Sequence, residues 1–190
     1  MTSDLILWLD LETTGNGPDD DIIELGAVLT DQDYNILTSF ERVYRTKRAI
    51  SVINPHVLRM HYDNGLWLLT GESIRYAEDP GSEGEILQWL GKAGALKGER
   101  FLPLAGSGTS HFDRRYIERD WPSLARRLTY WNLDIGVVRR FMRNWMKPEE
   151  FERAFAPAPE GVDPKHHRAL SDVMQHIAEA RLYRGFIQSL

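Results

Sequence analysis

Apolar residues open this chain in a short block, Leu5–Leu9, that is followed at once by Asp10, Leu11, Glu12 and a Thr13–Thr14–Gly15 turn. The block reads as a short apolar strand ending in two acids. After an acidic loop, Asn16–Asp21, the stretch Ile22–Thr30 is a second apolar strand. A turn at Asp31–Asn35 leads into a third strand, Ile36–Tyr44. Three strands joined by such short loops predict an antiparallel meander. The basic loop Arg45–Ala49 then leads to Asn54–Pro55, where Asn caps and Pro takes the first position of a short helix running to about His61. Asp63–Asn64–Gly65 is the turn that closes it.

From there the pattern changes. Ser82–Glu85 has the form of a capping box opening a helix through Ile86, Leu87, Trp89 and Leu90. Phe101–Ala105 reads as a buried strand, and Gly106–Ser110 is a loop of small residues before His111–Phe112–Asp113. A helix is expected from Asp113 to Asp120, broken at Trp121–Pro122. Thr129–Leu133 is a further strand, and after Asp134 a helix runs to about Lys147. Pro148–Pro164, rich in Pro, Ala and Glu, is expected to be a surface loop. A last amphipathic helix starts near Ala169, with the stripe Leu170, Val173, Met174, Ile177. Three strands followed by helices alternating with two more strands predict an α/β fold. Its mixed sheet would hold three antiparallel strands followed by two parallel ones, flanked by helices, the pattern of a ribonuclease-H-like domain. No internal repeat or second domain interrupts it, so residues 1–190 are expected to form a single domain.

Composition narrows the chemistry. The chain has no cysteine, which leaves oxygen and imidazole as the metal ligands. Its 42% hydrophobic and 27% charged residues suit a soluble globule, and no apolar run is long enough to span a membrane. The start, MTSDLILWLD, lacks the basic n-region of a signal peptide, and a cytoplasmic protein is expected. A net charge of −5 disfavours gripping long duplexes through phosphate contacts alone. The basic clumps Arg45/Lys47/Arg48, Arg114/Arg115/Arg119, Arg126/Arg127 and Arg139/Arg140/Arg143 read as solvated faces rather than a phosphate track.

The acids carry the candidate chemistry. Residues two apart in a strand share a face, so Asp10 and Glu12 project side by side while Leu9 and Leu11 turn the other way. Carboxylates this close repel unless a positive charge lies between them, and a hard divalent cation is the simplest solution. A half-solvated pair beginning a turn fits the same residues. Asp113 and Asp172, however, fall at strand-to-helix junctions or helix starts, where the sites of open sheets gather. His167 and Asp172 are five apart, about 140° around a helix at roughly 100° per residue. If both serve one site, His167 must stand before the helix and Asp172 in its first turns. Taken singly, Asp113 could cap a helix, Asp172 could favour a helix dipole, and His167 could be an exposed loop residue.

In this order, LDLETTG, HFD and HRALSD resemble the DEDDh exonucleases, ribonuclease-H-like enzymes named for four acids and a histidine. Within that family WLDLETTG, IIELGAVLTD, MHYDNGL, PLAGS, LTYWNLD and HRALSDV are similar to the oligoribonuclease branch. The resemblance implies that Asp10, Glu12, Asp113 and Asp172 hold two Mg²⁺ or Mn²⁺ ions and that His167 is the general base. It further implies a homodimer that removes nucleoside 5′-monophosphates from the 3′ end of short single-stranded RNA or DNA. Thr13, Asn16, His56, His61, Ser107, Tyr130 and Trp131 would touch the substrate. The residues' own chemistry agrees. Two metals about 3.5–4 Å apart can clamp the attacking and leaving oxygens of a phosphodiester, and histidine can take a proton near neutral pH. Asp134 would support the site from beside it or cap the next helix.

Several substrate-capping positions depart from the branch. Asn16 stands where an apolar wedge is usual and His56 where an aromatic is usual. Trp131 takes the place of an arginine, Gly136 that of a hydroxyl residue, and Gly106–Ser107–Gly108 lacks an asparagine. A looser length preference is expected, with exposed aromatics such as Trp131 stacking bases without reading sequence. HFD and HRALSD suit a DNA-directed proofreading or repair exonuclease equally, and nothing in the sequence reports on the 2′-OH. A non-catalytic nucleic-acid-binding domain is the third reading.

Overall fold

The central strand explains the opening apolar block. In the computed structural model, which describes residues 5–98, 100–155 and 167–189, β1 (Ile6–Thr13) lies in the middle of a five-stranded sheet. Its partners are β2 (Ile22–Thr30) on one side and β4 (Leu102–Gly106) on the other; β3 (Ile36–Val43) and β5 (Leu128–Asp134) form the edges. β1–β2 and β2–β3 pair antiparallel, whereas β1–β4 and β4–β5 pair parallel. This is the expected mixed sheet.

A strand covered on both faces has no reason to alternate apolar with polar residues, and β1 does not. Leu5, Leu7, Leu9 and Leu11 face a core shared with Ile86 and Leu90 of α3 (Pro80–Lys92), Tyr116 and Ile117 of α4 (Asp113–Asp120), and Trp121 and Leu124 at α5 (Pro122–Ala125). Ile6 and Trp8 face the opposite core. There they meet Ile135 and Met142 of α6 (Ile135–Trp145) and Val173, Ile177, Ala180 and Tyr183 of α8 (Ala169–Gln188). The Trp8 indole N–H is buried but donates to Thr30 Oγ1 at 3.0 Å, so the ring carries no unpaired donor. Among the described residues no helix is long and apolar enough to cross a membrane.

Side-chain caps open two of the expected helices. Asn54 accepts from the His56 N–H and opens α1 (Pro55–Asp63), and Asp134 accepts from the Val137 N–H at the start of α6. The Ser82–Glu85 capping box is not formed. α3 starts earlier, at Pro80, and Ser82 instead donates to the Tyr76 carbonyl. Pro148–Phe155 is a helix, α7, rather than loop; Phe155 packs on Tyr183 and Phe186 of α8 and Phe151 on Phe155, a tertiary gain that composition does not reveal. The remainder of that expected loop, up to Pro164, lies outside the described residues. α2 (Leu66–Glu72) was not expected; it follows the Gly65 turn, whose left-handed φ of 78° reorients the chain after α1. On α8 the buried face is Ala169, Val173, Ile177, Ala180 and Tyr183. Met174 points away from it, because the helix presents the i, i+4 row through Val173 to the sheet.

Candidate active site

The face of β1 that carries Ile6 and Trp8 ends in Asp10 and Glu12, and α8 lies over that face with its first turn above the two acids. Across the strand pair, Asp10 faces Gly26 and Glu12 faces Glu24. Gly26 permits the approach: a Cβ there would stand 2.2 Å from the Leu170 nitrogen. Asp172 sits in the first turn of α8, and His167 precedes the helix, as the spacing argument required. Ligand atoms of Glu12, His167 and Asp172 all lie within 4.8 Å of one another. Asp113 is the first residue of α4 and is 2% exposed; its Oδ1 accepts the Leu11 N–H at 3.2 Å, which seats it between Asp10 and Glu12 in the chain. Phe112, not Asp113, is the N-cap residue of α4.

Electrostatically the cluster is overloaded with negative charge. Asp10 keeps some surface open to solvent but is surrounded by packed atoms. Burial, followed by the charges of Asp113, Glu12, Asp172 and Glu24, raises its pKa well above the usual carboxylate range. Burial first, then Asp172, Glu24 and Asp113, pushes Glu12 up to about 9, against a small lowering by Arg168. Asp113 is pushed up to about 7, chiefly by burial, despite the Leu11 N–H that favours its charged form. Such a set fits a divalent cation: hard oxygen donors, crowded and partly buried, with an uncompensated negative field and a nitrogen donor at the edge.

The remaining expected substrate residues fall into three groups. Asn16 and His56 are exposed, and Ser107 is half-buried beside Gly136, where a Cβ would meet the Ser107 Oγ at 2.7 Å. Thr13 and His61 are buried. The His61 ring is 0% exposed, its Nε2 bonded to the Thr13 carbonyl oxygen at 3.0 Å and 3.9 Å from Glu12 Oε2. Burial holds its pKa below the usual histidine value. It supports the end of β1 from behind, and in this arrangement it is closed to a substrate. Tyr130 and Trp131 are 85% and 75% exposed on the edge strand β5. They line a cavity of about 750 Å³ with Trp8, Tyr34 and Val137, and none of the four acids or His167 reaches it.

Three neighbours of the site escaped the sequence reading: Glu24, Arg168 and Asn64. Glu24 alone carried a signal, since it lies among apolar residues in the second strand, where an acid needs a buried partner. Arg115 and Arg119 of the Arg114/Arg115/Arg119 clump are exposed, as expected of a solvated face, but the clump also binds carbonyls of a neighbouring loop. Arg114 reaches the Thr129 carbonyl and Asn132. Arg115 donates to the Asn16 carbonyl at 2.6 Å, Arg119 to the Pro18 and Asp20 carbonyls, and the Tyr116 hydroxyl shares its one proton between those of Gly15 and Gly17. Together α4 ties down the loop that follows β1.

A sheet ordered β3-β2-β1-β4-β5 and flanked by helices is a ribonuclease-H-like fold, and an acid cluster stands at the end of its central strand. Residues 7–180 match the exonuclease family RNase_T, and the chain belongs to that family. It is 31% identical to an oligoribonuclease of Nocardia farcinica, over 97% of this chain and 81% of the relative. It is 27% identical to one of Francisella tularensis, over 100% of this chain and 99% of the relative. Among solved structures, an Escherichia coli exonuclease I–ssDNA complex superposes with a TM-score of 0.67 at 16% identity. That match covers 97% of this chain but 41% of the other, so the chain spans under half the length of exonuclease I.

Proposed function

We propose that this chain is a two-metal 3′→5′ exonuclease that hydrolyses short single-stranded RNA or DNA to nucleoside 5′-monophosphates. The observation that carries the reading is the convergence of Glu12, His167 and Asp172 beside Asp10 and Asp113, on three separate elements. Family membership and full-length similarity to oligoribonucleases support it.

Asp10, Glu12, Asp113 and Asp172 would hold two Mg²⁺ or Mn²⁺ ions, which supply charge neutralisation for the phosphodiester and its departing 3′-oxygen. His167, exposed at the rim, would take a proton on an imidazole nitrogen from the attacking water. The water oxygen bonds to phosphorus, the P–O3′ bond breaks, and the shortened strand leaves with its 3′-oxygen protonated by solvent. Asn16, on a loop tied to α4, and Ser107 would border the bound nucleotide. The position of Tyr130 and Trp131 away from the acids of their own subunit supports a homodimer, in which β5 brings these rings to the neighbouring site and Trp131 stacks on a base. We take residues 1–190 as one cytoplasmic domain.

The test is product analysis on matched RNA and DNA oligonucleotides of two to twenty residues, with Mg²⁺, Mn²⁺ or EDTA. Metal-dependent mononucleotide release, abolished by Asp10→Ala, is the expected result. Release fastest on dimers marks a narrow length preference, while release persisting along longer strands fits the changes at Asn16, His56 and Trp131. Binding without cleavage by the wild-type protein would overturn the reading.

A further inference from the structure

A fifth acid stands beside the four. Glu24 lies directly across the β1–β2 pair from Glu12 and is 2% exposed. Like charges opposed in this way repel, and an unengaged carboxylate here would compete as a metal ligand. Glu24 is fully engaged elsewhere. Arg168 Nε and Nη2 donate to its Oε1 at 2.8 and 2.6 Å, and the Ala169 N–H donates to its Oε2 at 2.9 Å. Arg168, the N-cap residue of α8, makes no side-chain cap of its own, so Glu24 supplies from the sheet an acceptor that the helix start needs. Asn64, in the α1–α2 connection, acts from another side. Its Nδ2 donates to the His167 carbonyl at 2.6 Å while its Oδ1 accepts the Leu66 N–H at 3.0 Å.

Between these anchors the backbone of His167 has φ +39°, a left-handed conformation that non-glycine residues adopt seldom and keep only where their surroundings over-determine it. The peptide joining His167 to Arg168 is pinned at its carbonyl oxygen by Asn64 and through the Arg168 side chain by Glu24. With that peptide fixed, the imidazole is left with little beyond its own side-chain rotations.

We propose that Asn64 and the Glu24–Arg168 pair are positioning residues, which clamp the His167–Arg168 peptide so that the imidazole stays within reach of Glu12 and Asp172. The inference rests on the reading of His167 as the general base. All three residues act through His167 rather than on the substrate.

Asn64→Asp is the probe, because it keeps an acceptor for the Leu66 N–H while replacing the donor to the His167 carbonyl with an acceptor that repels it. Expected is a fall in kcat on a short oligonucleotide of roughly 10- to 100-fold, the range for a reacting group misplaced by about an ångström. KM should stay within twofold, and the ring NMR signals of His167 should broaden or split. Glu24→Gln should lower kcat similarly, and its melting temperature as well because a buried charged pair is broken. In a His167→Ala background Asn64→Asp should have no further effect. A kcat for Asn64→Asp within threefold of wild type, or an undiminished effect in the His167→Ala background, would overturn the clamp. Full activity of His167→Ala alone would instead sink the general-base reading, which keeps the two failures distinct.

Discussion

Gly26 offers the sharpest test of how the sheet positions the acids. It pairs with Asp10 across β1–β2 and lies beneath the first turn of α8. A Cβ at this position would stand 2.2 Å from the Leu170 nitrogen, 2.3 Å from the Ala169 carbonyl carbon and 2.6 Å from its oxygen, where ordinary contact begins at 3.4 Å. Every one of these atoms is backbone, so no side chain can rotate out of the way. In Gly26→Ala the start of α8 must withdraw by about 1.2 Å, carrying Asp172 and His167 away from Glu12. Overpacking of this kind costs about 1–3 kcal/mol, which for a chain of this size lowers Tm by roughly 2–12 °C. A displacement of about an ångström in a reacting group costs on the order of 100-fold in turnover. The assay is mononucleotide release from a 5′-labelled trinucleotide at saturating substrate, well below the variant's Tm, alongside a circular-dichroism melt. Gly84→Ala on α3, where a Cβ meets nothing within 4 Å, is the control; it should retain activity and gain up to about 1 kcal/mol from helix propensity. A Gly26→Ala protein that melts with wild type and turns over within threefold of it would refute the argument.

Three further outcomes are expected. His176 on α8 is largely buried near Glu179, Arg139 and Asp134, and burial pushes its pKa down to about 4. The unfolded chain therefore takes this proton first, and the stability tied to the neutral ring is complete above about pH 6.5 and lost as pH falls toward 4. At about 1.4 kcal/mol per pH unit the loss is of order 3 kcal/mol; urea melts of wild type and His176→Leu should diverge in pH slope over this window, and parallel slopes would refute the assignment. Asp113→Asn keeps the acceptor for the Leu11 N–H but removes one carboxylate from the crowded set. In EDTA it should melt about 2–4 °C above wild type, a gain of about 1 kcal/mol, while its turnover in Mg²⁺ falls more than roughly 100-fold; equal melting of the two proteins would show that repulsion is not felt there. Trp131→Glu should convert a dimer to a monomer in light scattering at micromolar concentration and lower turnover without lowering the monomer's helical content, whereas a wild-type protein that is already monomeric would remove the dimer from the reading.

How far the site could be read in advance differs residue by residue. Asp10 and Glu12 were legible because a strand has a strict period of two, so their shared face follows from spacing alone. The placement of His167 before α8 and Asp172 within it followed from helical geometry in the same way. His61 was not legible. Its motif pointed to substrate, but its ring is buried against the Thr13 carbonyl, and only this tertiary contact with the end of β1 decides which way it faces. Arg115 and Arg119 are exposed as their charge predicts, but their carbonyl partners on the Asn16–Asp21 loop were not legible, being about a hundred positions away in the chain. α7 was not legible because its Pro- and Glu-rich composition resembles loop, while the aromatic contacts of Phe155 with α8 that stabilise it are tertiary.

By itself the sequence determined the strand order in time, the acids and their faces, and the absence of thiolate ligands, since local periodicity and side-chain chemistry act within a few residues. Tertiary structure alone decided that α8 can approach the sheet at Gly26, and that Glu24 is spent on Arg168 and Ala169 rather than left as a fifth ligand. It also decided that Asn64 holds the His167 carbonyl. Each of these depends on where residues separated by about a hundred positions or more come to lie, and no local propensity encodes such a distance.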